Sequence, residues 1–541
     1  MSNQEERQSW SSRLAYVMTV AGATVGFGAT WRFPYLVGEN GGGAYVFLFC
    51  VAMIVIGIPM ILVENVIGRR MKVNAIDAFS GHANGKKIAV GWKILGYTSL
   101  LGAFGILAYY MVLGGWVLEY IGSLLTGKLD FSQPLNVEYT ASFLKENIHD
   151  NLWGIIAYTL LFVIVNYFIL VKGIVDGIER SVKYLMPILF VFLLVMVIRN
   201  VTLPGAMEGI SFYLMPDFSK ITPQLFVFVL GQVFFALSLG FGVLITLSSY
   251  LDKNENLVKT ATITGIMNTI IAVLAGFMIF PSLFSFGVPP DSGPTLVFQS
   301  LPIVFSNMWG GTIFAIIFFG LLVVAALTTS LTIYEVIITA LQEKTKIGRK
   351  KAIAVTLGVI FILGNIPSVL GDNLWKDTTI IGKSIFDAFD YISGNILFIL
   401  TALGSAIFVG FVLKDEAKAT LKSALQNYFA VLLNDKNIKD NLESIVIEGH
   451  TDSDGEYLYN LRLSQNRALA VMEFIDSWNN DMNLRKILVA SGRGRAMPIV
   501  ENGVENKEKS RRIEIKFTLS NKDAINEIQN FLNYDKNTTA N

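Results

Sequence analysis

Two glycine-rich stretches interrupt apolar runs long enough to cross a bilayer. One reads A-G-A-T-V-G-F-G-A-T-W-R-F-P-Y, from Ala21 to Tyr35, and the other F-F-A-L-S-L-G-F-G, from Phe234 to Gly242. In hydrocarbon each unpaired backbone amide or carbonyl costs several kcal/mol, so a spanning helix should stay continuous. A break is tolerated where the freed groups face protein, water or a ligand. Two breaks in corresponding places of two apolar halves point to a carrier site at the membrane midplane. The chemistry on offer is that of fixed dipoles: a half-helix N-terminus suits a carboxylate, and freed carbonyls suit an ammonium group. A third run, A-A-L-T-T-S from Ala325 to Ser330, adds the Thr328 and Thr329 hydroxyls and the Ala325 carbonyl. A hard cation needs several such oxygens. The plainer alternatives are that the glycines only allow close helix packing and that each threonine bonds back one turn along its own helix.

The elements that position these groups follow from composition. Of 541 residues 53% are hydrophobic, too many for a soluble chain, and the bias is confined to residues 14–412. A net charge of +1 argues against nucleic acid as a partner. Cys50 is the single cysteine and the three histidines are scattered, which leaves neither a disulfide nor a cysteine or histidine metal cluster. The N-terminus lacks the pattern of a cleaved signal peptide. With about 20 apolar residues per crossing, ten spans are predicted: 14–37, 44–67, 92–124, 153–171, 180–200, 225–250, 258–282, 309–342, 351–371 and 384–412. Lysine and arginine crowd alternate loops, at Arg69, Arg70, Lys72, Lys86 and Lys87, then Lys172, Arg180 and Lys183, then Lys344 to Lys351. By the positive-inside rule the N-terminus, with Arg7 and Arg13, is cytoplasmic, and after ten crossings so is the C-terminal region. The expected location is a bacterial inner membrane. Five spans per half, with a broken helix first in each, give an all-α inverted-repeat bundle.

The motifs G-A-T-V-G-F-G-A-T-W-R-F-P-Y and E-N-G-G-G-A, with W-S-S-R-L before them, resemble the first helix of the neurotransmitter:sodium symporter family; Gly231 to Gly242 resembles its sixth. The resemblance covers roughly residues 7–412. It implies a sodium-dependent carrier that imports an amino acid by alternating access, and not an enzyme. Gly26 and Gly28 would leave room for the substrate carboxylate, and Tyr110 would donate its hydroxyl to it. The ammonium would meet carbonyls near Thr24, Phe235 and Ala236, with Ser238 close by. Ile106, Phe241 and Ile333 match positions that touch the substrate side chain; all three are apolar, so a neutral, hydrophobic or aromatic amino acid is expected. By the same resemblance the carbonyls of Gly22 and Val25 join Ala325, Thr328 and Thr329 in one sodium site. A second family site, with Thr24 and Asn268, is weakened here, because Ala29 and Ala236 stand where side-chain oxygens are usual. Ala272 supplies neither group associated with chloride handling, so no chloride and no cofactor beyond the coupling sodium are expected. Arg32 with Asp390 would close the outer path, with Tyr110 stacked near Phe235 as a roof. Arg7 with Glu343 would latch the inner path, braced by Trp10 and Tyr250. Glu64, inside the second span, would hold the unwound first helix, since intramembrane charges are functional by default.

Residues 445–519 carry a different signature. I-V-I-E-G-H-T-D-S-D-G, N-L-R-L-S-Q-N-R-A and S-R-R-I-E-I resemble the OmpA-like peptidoglycan-binding domain, a small α/β fold. The resemblance implies that Asp452 and Arg467 hold the zwitterionic end of a peptide stem. Residues 413–444 are read as a helical connector and 520–541 as a tail. The ten-span topology puts this domain in the cytoplasm, so the favoured reading is a fused fragment with no wall to bind. The alternative for the tail is a topology that places it outside. For the whole chain the rivals are a membrane-anchored wall-binding protein, which needs neither ten spans nor two broken helices, and a wall-linked stator, which needs an isolated intramembrane carboxylate near a wall-facing domain that this topology does not provide.

Overall fold

The computed structural model describes residues 10–83, 86–251, 255–290, 296–413, 442–479, 481–501 and 503–519, and a few positions between 422 and 430. Contacts divide the chain into two compact units, Met1–Lys414 and Asp415–Asn541. The expected connector lies mostly outside the described residues, and the tail wholly so.

Among the described residues of the first unit, eight helices are long and apolar enough to cross a membrane: Gly43–Met71, Val90–Leu125, Leu152–Leu170, Ile174–Val201, Leu257–Ser285, Gly311–Thr345, Arg349–Asp372 and Ile385–Leu413. The first and sixth predicted spans appear instead as broken helices. The first runs Arg13–Thr24, leaves helical geometry at Val25 (φ −92°, ψ 65°), and resumes as a wide π-turn, Gly28–Arg32, followed by Phe33–Glu39. The sixth runs Pro223–Ala236, breaks, and resumes at Val243–Ser248. Each first segment starts on a hydroxyl cap: Ser12 accepts from the Ala15 amide and Thr222 from the Leu225 amide, both at 3.1 Å. Pro223 then occupies the first helical turn, where its missing N–H is harmless.

The third and eighth spans, at 36 and 35 residues, are roughly 50 Å long, well beyond the roughly 30 Å hydrocarbon thickness, so they project from it or tilt. Both are buried over most of their apolar stretch, and Tyr120 of the third stacks on Phe319 of the eighth at 4.9 Å. The first helix packs against the fifth, seventh and eighth spans. Short helices also occupy the loops, at Val137–Leu144, Ala206–Leu214 and Ser300–Ser306, where no span is expected.

In the second unit, the strand Leu442–His450 is central in a three-stranded sheet. Leu488–Gly494 pairs parallel on one side of it and Ile513–Leu519 antiparallel on the other. Ile445 and Ile447 alternate inward and join Ala468 and Ile475 of the helix Tyr457–Asp476 in a small core. The period-two pattern of I-V-I-E sets this facing.

Candidate functional site

Around the first break, backbone carbonyls are met by side chains of three other spans. Thr329 Oγ1 of the eighth donates to the Gly22 carbonyl at 3.1 Å. Ser238 Oγ of the sixth donates to the Ala23 carbonyl at 3.0 Å. Asn268 Nδ2 of the seventh donates to Thr24 and, across the gap, to Ala236, each at 3.1 Å. Gln232 Nε2 donates to the Gly28 carbonyl at 2.7 Å. The Phe27 amide donates to the Tyr110 hydroxyl at 3.3 Å. Every one of these groups is buried, so each bond removes a desolvation penalty of roughly 1–3 kcal/mol that an orphaned carbonyl would carry.

Between the breaks lies a small, tightly closed-down cavity of about 10 Å³ lined by Ala23, Thr24, Gly26, Gly28, Ile106, Tyr110, Phe235, Ser238, Phe241, Thr329 and Ile333. All the substrate-contact residues expected from the sequence line it except Ala236, whose carbonyl is the one taken by Asn268. No charged side chain lines it. The glycines are required for closeness: a Cβ at Gly26 would overlap the Thr329 hydroxyl and stand 2.5 Å from the Tyr110 oxygen. A Cβ at Gly28 would stand 3.0 Å from the Phe235 ring.

Of the expected sodium ligands, Gly22, Thr328 and Thr329 adjoin: Thr329 bonds Gly22, and a Cβ on Gly22 would be 3.3 Å from that of Thr328. Thr328 Oγ1 bonds back to the Val324 and Ala325 carbonyls at 3.1 Å, the plain helical alternative, whereas Thr329 reaches across to another helix. Val25 is out of helical geometry beside them. Neutral hydroxyls and carbonyls are the donor set of a monovalent hard cation. Ala29, Ala236 and Ala272 are all buried, and their methyl groups offer no ligand atom.

The gates and the Glu64 contact differ from expectation in three respects. Arg32 does not pair with Asp390 within 4 Å; its guanidinium lies 4.5 Å over the Phe235 ring, a cation–π contact. Asp390 instead accepts the Tyr109 hydroxyl at 2.6 Å. The two groups still share a neighbourhood, because a Cβ at Gly394 would be 3.9 Å from both Asp390 Oδ1 and Phe235. Tyr110 does not stack on Phe235: its ring pairs with Phe27 at 4.8 Å, and Phe235 meets Phe241 at 6.2 Å. Glu64 serves the sixth break rather than the first, accepting the Gly240 amide at 2.7 Å. Arg7 lies outside the described residues, while Glu343 accepts the backbone and side-chain amides of Asn74 at 2.9 and 2.7 Å.

The inner brace does assemble. Trp10 Nε1 donates to the Leu247 carbonyl at 3.0 Å and its ring meets Tyr250 edge-on at 6.3 Å. That ties the start of the first helix to the end of the sixth. Nearby, burial works to raise the Asp77 carboxyl, but hydrogen bonds from Lys344, Asn74 and Lys93 together hold it below its ordinary range. An ion pair between half-buried Arg349 and fully buried Glu335, at 2.7 Å, was not expected from the sequence. Its signal was a glutamate eight residues before Glu343 on the same helix.

In the second unit Asp452 faces Arg511 at 3.4 Å, and Arg467 donates to the His450 carbonyl at 3.2 Å. Asp452 and Arg467 thus flank one strand end without pairing with each other. Hydrogen bonds from Lys516 and Arg512 hold the Glu514 carboxyl down at about 2, and burial pushes the His450 imidazole below its ordinary value.

Residues 7–152 and 141–422 match the sodium:neurotransmitter symporter family, and 411–512 match the OmpA family. The chain is 74% identical to an uncharacterised sodium-dependent transporter of Haemophilus influenzae over 430 residues, 79% of this chain and 94% of that one. It is 38% identical to another, YhdH of Bacillus subtilis, over 78% of this chain and 92% of that one. The crystal structure of MhsT in complex with L-phenylalanine superposes with a TM-score of 0.68 at 38% identity, covering 75% of this chain and 90% of MhsT. These relatives are transporters, not enzymes. The broken helices, the enclosed cavity between them and the length of the match make this chain a multi-pass, sodium-dependent transporter of the sodium:neurotransmitter symporter family.

Proposed function

We propose that the cavity carries a neutral, hydrophobic or aromatic α-amino acid into the cell, one sodium ion moving with each substrate. The observation that carries this reading is the make-up of the cavity walls. Break backbone and the Tyr110 hydroxyl line it together with the apolar Ile106, Phe241 and Ile333, and no charged residue is among the described lining residues. The polar groups match a zwitterion's carboxylate and ammonium. The apolar walls, with no charge to neutralise a charged side chain, disfavour basic and acidic substrates. That MhsT was crystallised with L-phenylalanine supports the aromatic end of this range.

The sodium would sit among Gly22, Val25, Ala325, Thr328 and Thr329, displacing the Thr329 hydroxyl bond. The single-ion stoichiometry rests on Ala29 and Ala236. Both are buried and offer only methyl groups where a second cation would want side-chain oxygens, which leaves Thr24 and Asn268 as an incomplete set. Chloride plays no part in this reading. Arg32 over Phe235 closes the outer path, and Trp10 with Tyr250, Arg7 and Glu343 close the inner one; alternating access opens them in turn. The N-terminus and the OmpA-like domain are placed in the cytoplasm of a bacterial inner membrane by the loop charges. Peptidoglycan is then out of reach of Asp452 and Arg467.

The test is equilibrium binding of a panel of labelled amino acids to the purified protein in sodium, potassium or neither. Phenylalanine and leucine should bind only with sodium, with a sodium Hill coefficient near one and no change when gluconate replaces chloride. Binding of lysine or glutamate in preference, or binding indifferent to sodium, would sink the proposal.

A further inference from the structure

Phe241 forms one wall of the cavity. Behind it, off the cavity surface, lies Phe398 of the tenth span, fully buried. The two rings stack with centroids 3.5 Å apart and planes 18° apart. The other faces of Phe398 are held by absences of side chain. On the third span a Cβ at Gly102 would stand 2.5 Å from Phe398 Cε1 and 3.0 Å from Cδ1. At the sixth-span break a Cβ at Gly240 would overlap the Phe398 carbonyl and stand 2.8 Å from its Cα. The Phe398 ring is therefore wedged between Gly102 and Phe241 while its backbone is pressed against Gly240, and Phe241 has nowhere to retreat. Ile106, another cavity wall, sits one turn from Gly102 on the same helix face. The seat of the Phe398 ring and one side of the cavity thus belong to a single rigid surface.

We propose that Phe398, acting through Phe241, sets the largest substrate side chain the cavity admits. It is a positioning residue: it fixes the wall without touching the substrate. The argument is that a close-packed interior passes on a change of even one methylene. Shrinking Phe398 frees space behind Phe241, so its ring moves back and the cavity deepens. Filling Gly102 drives Phe398 forward and makes it shallower. The inference rests on the amino acid site proposed above.

The test compares sodium-dependent binding of alanine, leucine, phenylalanine and tryptophan to the wild type, Phe398→Leu, Gly102→Ala and the double variant. Phe398→Leu should raise affinity for tryptophan relative to leucine by at least about tenfold, the scale of one or two methylenes in an apolar pocket. Gly102→Ala should lower affinity for phenylalanine relative to alanine, and the double variant should return the ratios towards wild type. Sodium half-saturation, read with substrate held at a fixed multiple of each variant's Kd, should not move, since neither Phe398 nor Gly102 is among the proposed sodium ligands. A purely structural role would lower all four affinities by one common factor with the ratios intact, and that result overturns the proposal. So does a shift of both single variants in the same direction. A wild type that binds none of the four with sodium refutes the site itself, a separate and recognisable failure.

Discussion

The two breaks face each other across one cavity and are built by different means. The first contains no positive φ angle: its glycines serve closeness, and its shape is held from outside by Thr329, Ser238, Asn268 and Gln232. The sixth is written into its own backbone, with Ser238 at φ 52°, Gly240 at 81° and Gly242 at 74°. One external carboxylate, Glu64, steadies it. A similar glycine-rich string thus encodes a borrowed conformation in one half and an intrinsic one in the other. The first break should respond to changes in its partners and the sixth to changes in its own residues.

The largest expected effect separates function from stability. Gly26→Val would place side-chain atoms against the Tyr110 and Thr329 oxygens, so sodium-dependent substrate binding should weaken by at least about 100-fold, roughly 2.8 kcal/mol. Equilibrium binding reads this, and the thermal midpoint should change far less. Gly240→Ala should do the reverse. A left-handed alanine costs roughly 1–2 kcal/mol, and its Cβ also meets Phe398 backbone. The thermal midpoint of the purified protein should fall even without substrate.

Asn268 is the one side chain that serves both breaks. Asn268→Leu orphans two buried carbonyls at roughly 1–3 kcal/mol each, and should lower stability and substrate affinity together. Asn268→Asp instead adds an anionic oxygen between those carbonyls and should raise the sodium Hill coefficient above one in a binding titration. The smallest effect is Ser238→Gly. It relieves a left-handed residue worth roughly 1 kcal/mol and loses the bond to Ala23, worth about as much. A thermal midpoint within error of wild type is expected; a large loss would mean that the sixth break too is held from outside.

Much of this could be read from residue order. The spans, the breaks, the apolar character of Ile106, Phe241 and Ile333 and the inner brace of Trp10 and Tyr250 are local patterns or positions fixed by a matching motif. What escaped has no local mark. Glu64 looks like a partner for the first helix until the fold brings its carboxylate to the Gly240 amide. Arg32 and Asp390 carry opposite charges, yet Arg32 lies over an aromatic ring while Asp390 accepts a tyrosine hydroxyl. Gln232 and Phe398 read as ordinary members of apolar helices. Their roles depend on what stands opposite.

The order of residues determined where helices must stop, because glycine, proline and hydroxyl caps act over three or four neighbours and the bilayer fixes the length between stops. It also determined that neutral oxygens and apolar walls would be present. Only the tertiary structure decided which carbonyl each side chain takes, since those bonds join residues up to 307 positions apart. Sequence specifies such partners only through the packing of every helix between them.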